Sequence, residues 1–282
     1  MFAVLIILTS TLLQETAASL GKASVRKKRE TVHSLAFLGV FWSLLFLVAG
    51  VLVFKAEFHI ELASLPTLIP RIILEIILAF LGAEAIIRAD RSTVGFLRLL
   101  SVPLLLAVDL ILGYHLTILQ IVGVLVMFGG LLLAFHHNPR GKKGAGLAIA
   151  CALISVATIS LYKWDISHYN SIAAEQIVVT FFMAVSFYIS ARYVGDSPLR
   201  LVIRPVSGGQ SLASGLSGAI EGFAYAFAPA SVILALKRCG ALLWTIIFGR
   251  TYFHEKSLIQ KLHAGAWTGV GLFLLASPFW TS

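Results

Sequence analysis

Apolar runs of about 20 residues recur along the chain, and each is long enough to cross roughly 30 Å of hydrocarbon as a helix. Ten such spans fit, near 2–20, 33–54, 67–88, 92–112, 116–135, 145–163, 171–194, 209–228, 230–253 and 262–280. The period-2 alternation of a membrane β-barrel is absent. Connections are short, and the one midpoint break in composition is the Pro-Arg-Gly-Lys-Lys stretch at 139–143. The pattern predicts an all-α polytopic membrane protein of ten transmembrane helices.

Composition narrows the class further. Apolar residues make up 59% of the chain and charged residues 12%, against roughly 25% charged in a soluble domain. Mean hydropathy is +0.93. The formal charge of +9 does not point to nucleic acid, because a basic interface needs a solvated face. Here the cations fall in short loops. Those after the odd-numbered spans carry Lys22, Arg26, Lys27, Lys28 and Arg29; Arg88 and Arg91; Arg140, Lys142 and Lys143; Arg192, Arg200 and Arg204; and Arg250, Lys256 and Lys261. The remaining loops are poor in cations. The one after the second span sets Lys55 against Glu57 and Glu61, and the one after the sixth sets Lys163 against Asp165. The positive-inside rule places the basic loops in the cytoplasm and both termini outside. Residues 1–20 lack the positive region that precedes the core of a signal peptide, so they read as a retained first helix.

An internal repeat underlies the ten spans. At a displacement of about 141 residues Leu12 meets Leu153, Ser19 meets Ser160 and Lys22 meets Lys163. Near the ends of the halves Gly123 meets Gly265, Gly129 meets Gly271 and Ala134 meets Ala276. The expected units are 1–138 and 145–282, joined by 139–144, each with five spans. An odd number per unit forces the two units to insert in opposite orientations. Inverted repeats characterise secondary transporters, whose substrate sits near the midplane between the halves.

The segment VILALKRCGALLWTIIFGRTYFHEK, residues 232–256, resembles the ninth helix and following loop of the EamA family of the drug/metabolite transporter superfamily. Lys237-Arg238, Gly249, Phe253 and Glu255-Lys256 carry the resemblance, and Gly265, Gly269 and Gly271 extend it. In the first half Pro103 and Gly113 fit the family pattern. Tyr114 stands where a glutamate is usual, and the ninth span lacks a proline matching Pro103. The resemblance implies a ten-helix carrier with alternating access, whose cavity is lined by spans 1, 3, 4, 6, 8 and 9. It names no single substrate, because the family moves amino acids, sugars, nucleotides and drugs.

Charged residues at membrane depth need a partner, water or a task. Lys237 and Arg238 lie about seven residues into the ninth span, roughly 10 Å along it. They are candidates for binding an anionic group, with snorkelling to the headgroups as the alternative. Arg98 occupies a comparable place in the fourth span, nearer the cytoplasm, again with snorkelling as the alternative. Glu15, beside Gln14, is placed to pair with Arg98 or to carry a proton; a purely structural ion pair is the other reading. Glu221 is too short to snorkel. A small residue at every fourth position around it (Ser214, Gly218, Gly222, Ala226) predicts close packing and an inward orientation, for a cavity role or, as the alternative, buried pairing. Glu75 has Arg71 one turn before it, a spacing at which the two satisfy each other. Tyr225 and Trp244 are candidate cavity aromatics, whereas Trp164, at a span end, reads as part of the interfacial aromatic belt. Gly265 and Gly269 form a GxxxG that serves either bundle packing or a homodimer face.

No nucleophile elbow, metalloprotease motif, P-loop or cysteine cluster occurs, so neither an enzyme nor a cofactor is expected. Cys151 and Cys239 read as small packing residues. His136-His137 lack further ligands for a metal. The expected function is secondary transport of a small polar or amphipathic metabolite across the cell membrane. Glu221, Tyr225, Lys237, Arg238 and Trp244 would contact substrate, and Gln14, Glu15, Glu75 and Arg98 would gate or couple. The expected partners are that substrate and the lipid bilayer. A lipid flippase and a non-transporting assembly subunit are the rival readings. Cysteine labelling with an impermeant reagent is expected to find position 26 cytoplasmic and position 282 external; the reverse pattern would overturn the orientation.

Overall fold

Long helices account for nearly all of the described chain. A computed structural model describes residues 2–26, 31–89, 94, 97–111, 118–119, 122–123, 125–126, 129–130, 144–224, 230–251, 265–267, 269–271 and 273–274, and no strand occurs among them. The helices are α1 (Phe2–Arg26), α2 (Val32–Phe54), α3 (Leu65–Arg88, after a 3-10 turn at Leu62–Ser64), α4 (Ser101–Ile111), α5 (Ala145–His168), α6 (Ile172–Tyr193), α7 (Pro198–Ile203), α8 (Pro205–Ala224) and α9 (Ala230–Thr251). The spans expected near 116–135 and 262–280, and His136-His137, lie largely or wholly outside the described residues.

Among the described residues four segments are long and apolar enough to cross a membrane: Val32–Phe54, Leu62–Arg88, Ala145–His168 and Ile172–Tyr193. Their outer faces suit hydrocarbon. Ile69, Ile73 and Ile77 recur at helical spacing on α3 and are all exposed, as are Phe181, Phe182, Val185 and Ile189 on α6. Hydroxyls, amides and charges point into the bundle, from Thr11 and Glu15 of α1 and Gln210 and Ser211 of α8 and also from Arg71, Thr158 and Glu175 on the inner faces of the apolar helices.

Two helix ends differ from the sequence expectation. α1 continues past residue 20 through Lys22 to Arg26. Lys22 is not a loop cation: its side chain is 1% exposed, and Nζ donates to the Ala89 carbonyl at 2.5 Å, just past the end of α3. A lysine at the last carbonyls of a helix is well placed against orphan acceptors. α5 likewise continues past 163, which puts Lys163, Trp164 and Asp165 in its last turns. Asp165 is fully buried there. Trp164 stays exposed, stacked on His168 with ring centroids 4.1 Å apart.

The bundle pairs helices from the two ends of the chain. α1 packs against α8 and α9, α2 against α6 and α8, α3 against α5 and more lightly against α6, and α4 against α5. The α1–α8 and α2–α8 contacts are close because α8 presents small residues. A Cβ on Gly215 would lie 2.2 Å from the Cβ of Trp42 and 2.6 Å from its backbone carbon, and one on Gly218 would lie 2.5 Å from Ser43 Oγ. Serines exploit the proximity. Ser211 Oγ donates to Leu38 O at 3.0 Å, Ser214 Oγ to Gly39 O at 2.9 Å, and Ser10 Oγ to Ser217 O at 3.0 Å.

Helix ends show that α2 and α6 run antiparallel. At one end Asp196, just after α6, accepts from the Thr31 hydroxyl at 2.6 Å and the Ser34 hydroxyl at 2.5 Å, where α2 begins. Thr31 is also the N-cap of α2, accepting from Ser34 N at 3.3 Å. Burial works to raise the Asp196 pKa, but the hydrogen bonds from Ser34 and Thr31 outweigh it and hold the group below its ordinary value. At the other end the stretch after α2 meets Ser171, the N-cap of α6. Ser171 N donates to His59 O at 2.9 Å, and His59 N donates to Ser171 Oγ at 3.1 Å. Glu61 N adds a bond to Asn170 Oδ1 at 3.1 Å. The first end also holds Arg26, Arg88 and Lys22, which make it the basic end of the bundle.

Gly215→Val is expected to lower stability by about 1–3 kcal/mol or more, because the obstructing atoms include backbone. Denaturant or thermal unfolding in detergent reads this directly; unchanged stability would sink the close approach of α8 to α2.

Candidate functional site

Two adjoining cavities occupy the centre of the bundle. The one toward the end opposite the basic end encloses about 260 Å³ and is lined by Arg71, Glu75, Tyr162, Gln176, Glu221, Lys237 and Arg238, among others. The one toward the basic end encloses about 310 Å³ and is lined by Gln14, Glu15, Arg98, Gln210, Lys237 and Arg238, among others. Gly39, Val40, Leu78, Ser155, Lys237 and Arg238 line both, so the Lys-Arg pair of α9 stands at their junction.

The small face of α8 sets α2 close by, and Glu221, one turn beyond Gly218, opens into the cavity. Glu221 Oε1 accepts from Lys237 Nζ at 2.5 Å, with both side chains roughly four-fifths buried. Glu75 lines the same cavity, within electrostatic reach of Arg71, Lys237 and Glu221. Glu84, farther along α3, is paired with Arg88 at 2.5 Å. A cavity edged by fixed charges of both signs, with apolar walls from Leu47, Val179 and Met183, suits a small ligand with charged or polar groups on an apolar frame.

The expected Arg71–Glu75 partnership is not the one formed. Arg71 is 3% exposed and its Nη1 donates to Glu175 Oε1, while its guanidinium carbon lies 4.2 Å from the centre of the Tyr162 ring. Glu175 belongs to the first turn of α6, which packs against α3, and full burial makes it the stronger partner. Helical spacing alone reports neighbours on one helix and is blind to a carboxylate arriving from another.

Of the other expected residues, Gln14, Glu15 and Arg98 come together around the second cavity. Arg98 precedes α4, and its carbonyl accepts from Ser101 Oγ at 2.7 Å. Trp244 stands apart from both cavities, stacked on Phe248 with centroids 6.4 Å apart. Tyr225 lies outside the described residues. Gly265 faces Ile246 of α9, where a Cβ would come within 3.0 Å, while a Cβ on Gly269 would meet nothing within 4 Å.

The fold is shared with a known structure. One solved crystal structure, described only as that of a protein, matches 97% of this chain and 98% of its own length with a TM-score of 0.64 at 15% identity. At that identity the likeness speaks for the fold alone. No family model matches the sequence, and no curated protein matches it.

Sequence reasoning missed Glu175, Asp165, Asn170 and Tyr162. A glutamate in the first turn of a helix is adequately explained by the helix dipole. Only the packing of α3, α5 and α6 brings these four around Arg71. Removing one side of a buried ion pair typically costs about 3–5 kcal/mol, while replacing both costs far less. Arg71→Met and Glu175→Met are therefore each expected to destabilise the protein more than the double variant. Unfolding measurements giving additive losses would overturn the pairing.

Proposed function

We propose that this protein is a secondary transporter that moves a small polar or amphipathic metabolite across the cell membrane by alternating access. The observation that carries the reading is the pair of adjoining central cavities meeting at Lys237 and Arg238. One cavity lies toward each end of the bundle, and the cations sit where a ligand passing between them would be held. Lys237, Arg238 and Glu221 are the proposed substrate contacts, with Glu15, Gln14 and Arg98 gating the basic end. The apolar outer faces and the four long apolar helices support a membrane setting.

Two inverted five-helix repeats are part of the proposal, and the helix pairing supports them. Exchanging α1 with α5, α2 with α6, α3 with α8 and α4 with α9 turns the α1–α8 contact into α5–α3. It turns α1–α9 into α5–α4, α2–α8 into α6–α3, and leaves α2–α6 unchanged; each of these contacts occurs. The starts of α2 and α6 (Val32, Ile172) and of α3 and α8 (Leu65, Pro205) share a displacement of about 140 positions, close to that of the sequence repeat. The end contacts obey the same exchange, because Thr31 and Ser171 cap matching helices and each meets the stretch after the other's helix. The EamA-like run at 232–256 agrees with this architecture. With the basic loops inside, both termini lie outside.

The test begins with a screen of water-soluble metabolites for stabilisation of the purified protein, since a ligand at 100 times its Kd adds about 2.7 kcal/mol. A hit should then be taken up by proteoliposomes, with uptake lost in Lys237→Ala, Arg238→Ala and Glu221→Gln. Unchanged uptake in all three, at unchanged stability, would remove the site. Stabilisation by lipids alone would favour a flippase.

A further inference from the structure

We infer that Asp165 is a proton-binding site whose occupancy controls opening of the end opposite the basic end. The inference deepens the transporter reading and rests on it for its place in a cycle.

Both carboxyl groups are fully buried, and they adjoin one guanidinium, that of Arg71, which is 3% exposed. Glu175 is occupied on both oxygens. Oε1 accepts from Arg71 and Oε2 accepts from Asn170 Nδ2 at 2.5 Å. Its two oxygens are thus tied to the Arg71 guanidinium and the Asn170 amide. Asp165 differs. Its Oδ1 accepts from the Thr67 hydroxyl, while its Oδ2 is buried and has no donor among the described residues. The group Asp165 faces is another acceptor, the Glu175 carboxyl.

Other charged or titratable groups nearby do not supply the missing donor. Tyr162 on the same helix lies against Arg71. Glu61 and His59 are exposed and bonded to one another at 3.3 Å. His168 is stacked on Trp164 and bonded to its carbonyl. Two buried carboxylates beside one cation cannot both stay ionised without cost. A proton taken from bulk water onto Oδ2 resolves this. Asp165 becomes a neutral acid, its O–H donates to the Glu175 carboxylate, and the cluster of Arg71, Glu175 and Asp165 becomes neutral. Carboxylate oxygens have lone pairs enough for that third bond.

The proton therefore holds a closure together. Thr67 on α3, Asp165 on α5 and Asn170 with Glu175 at the head of α6 form one hydrogen-bonded tie across three helices, next to the cavity lined by Arg71 and Gln176. Loss of the proton leaves two like charges in the tie, and withdrawal of α3, whose Thr67 and Arg71 hold Asp165 and Glu175, from the α5–α6 turn lets water in to relieve them. Protonation closes this end and deprotonation opens it, so each cycle takes up one proton on closing and releases it on opening.

The experiment uses the full chain in proteoliposomes, with Cys151 and Cys239 replaced by alanine. Infrared titration should show a protonated carboxylic acid band that disappears as pH rises and is missing in Asp165→Asn. Over the same pH range an impermeant thiol reagent should label Gln176→Cys about tenfold faster, normalised to Glu57→Cys at an exposed site. Asp165→Asn should make that labelling independent of pH. A band untouched by Asp165→Asn, or labelling whose pH dependence is absent in the parent or survives in Asp165→Asn, would overturn the inference. Should Asp165→Asn fail to fold, Thr67→Val decides. Loss of the donor to Oδ1 should move the transition to higher pH, and an unmoved transition counts against the proposal. Neither readout needs a substrate, so a failed metabolite screen leaves this result standing, and the reverse also holds.

Discussion

Charge buried between apolar helices has to be answered locally, and the Arg71–Glu175 pair answers it across two helices. Arg71 comes from α3 and Glu175 from α6, and Tyr162 of α5 covers the guanidinium face. A buried pair of this kind contributes little to stability relative to apolar replacements. What it fixes is register: α3, α5 and α6 must meet at one height for the guanidinium, the ring and the two carboxyls to find one another. The cavity lined by Arg71, Glu75 and Tyr162 exists at that height as a consequence.

A second constraint, close backbone approach, sets the other half of the cavity wall. Gly215 and Gly218 bring α8 against Trp42 and Ser43, and the serines of α8 satisfy themselves on carbonyls of α2. Small residues replace side-chain packing with backbone proximity, which is the usual way helices associate without a hydrophobic drive between them. Glu221 follows on the same helix and meets Lys237 of α9 across the cavity. The polar interior and the apolar exterior are thus two outcomes of one distribution, with α1, α8 and α9 carrying polar groups inward and α2, α3, α5 and α6 presenting apolar faces outward.

What was legible in the sequence follows from what is local. The spans near 33–54 and 171–194 match α2 and α6 within a residue or so, because unbroken apolar runs ended by capping residues leave little freedom. The ends of α1 and α5 lie beyond the expected ones because charge is a poor sign of a loop: Lys22 is satisfied inside its helix, and Asp165 is buried in the last turn of α5 with a donor to one of its oxygens. The inward position of Glu221 was readable from the small-residue stripe. The Arg71–Glu175 pairing was not, since its partners are far apart in sequence and each has an adequate local explanation.

The two ends of the α2–α6 pair look alike in topology and differ in chemistry. At the basic end Asp196 receives the hydroxyls of Thr31 and Ser34, and its lowered pKa keeps it ionised at any physiological pH. At the opposite end Asp165 has one hydroxyl donor, and a second carboxyl where a further donor would be. On the proposed reading Asp196 stays ionised while Asp165 takes up and releases a proton. In an alternating-access cycle that asymmetry has a consequence: a proton biases only one of the two gates. Under the proposed function the other gate would be left to the charges around Glu15 and Arg98, and to a ligand bridging the Lys-Arg pair at the junction of the cavities. A transporter built from two related halves needs some such difference for a proton gradient to give it direction, because two identical gates would respond to the proton alike.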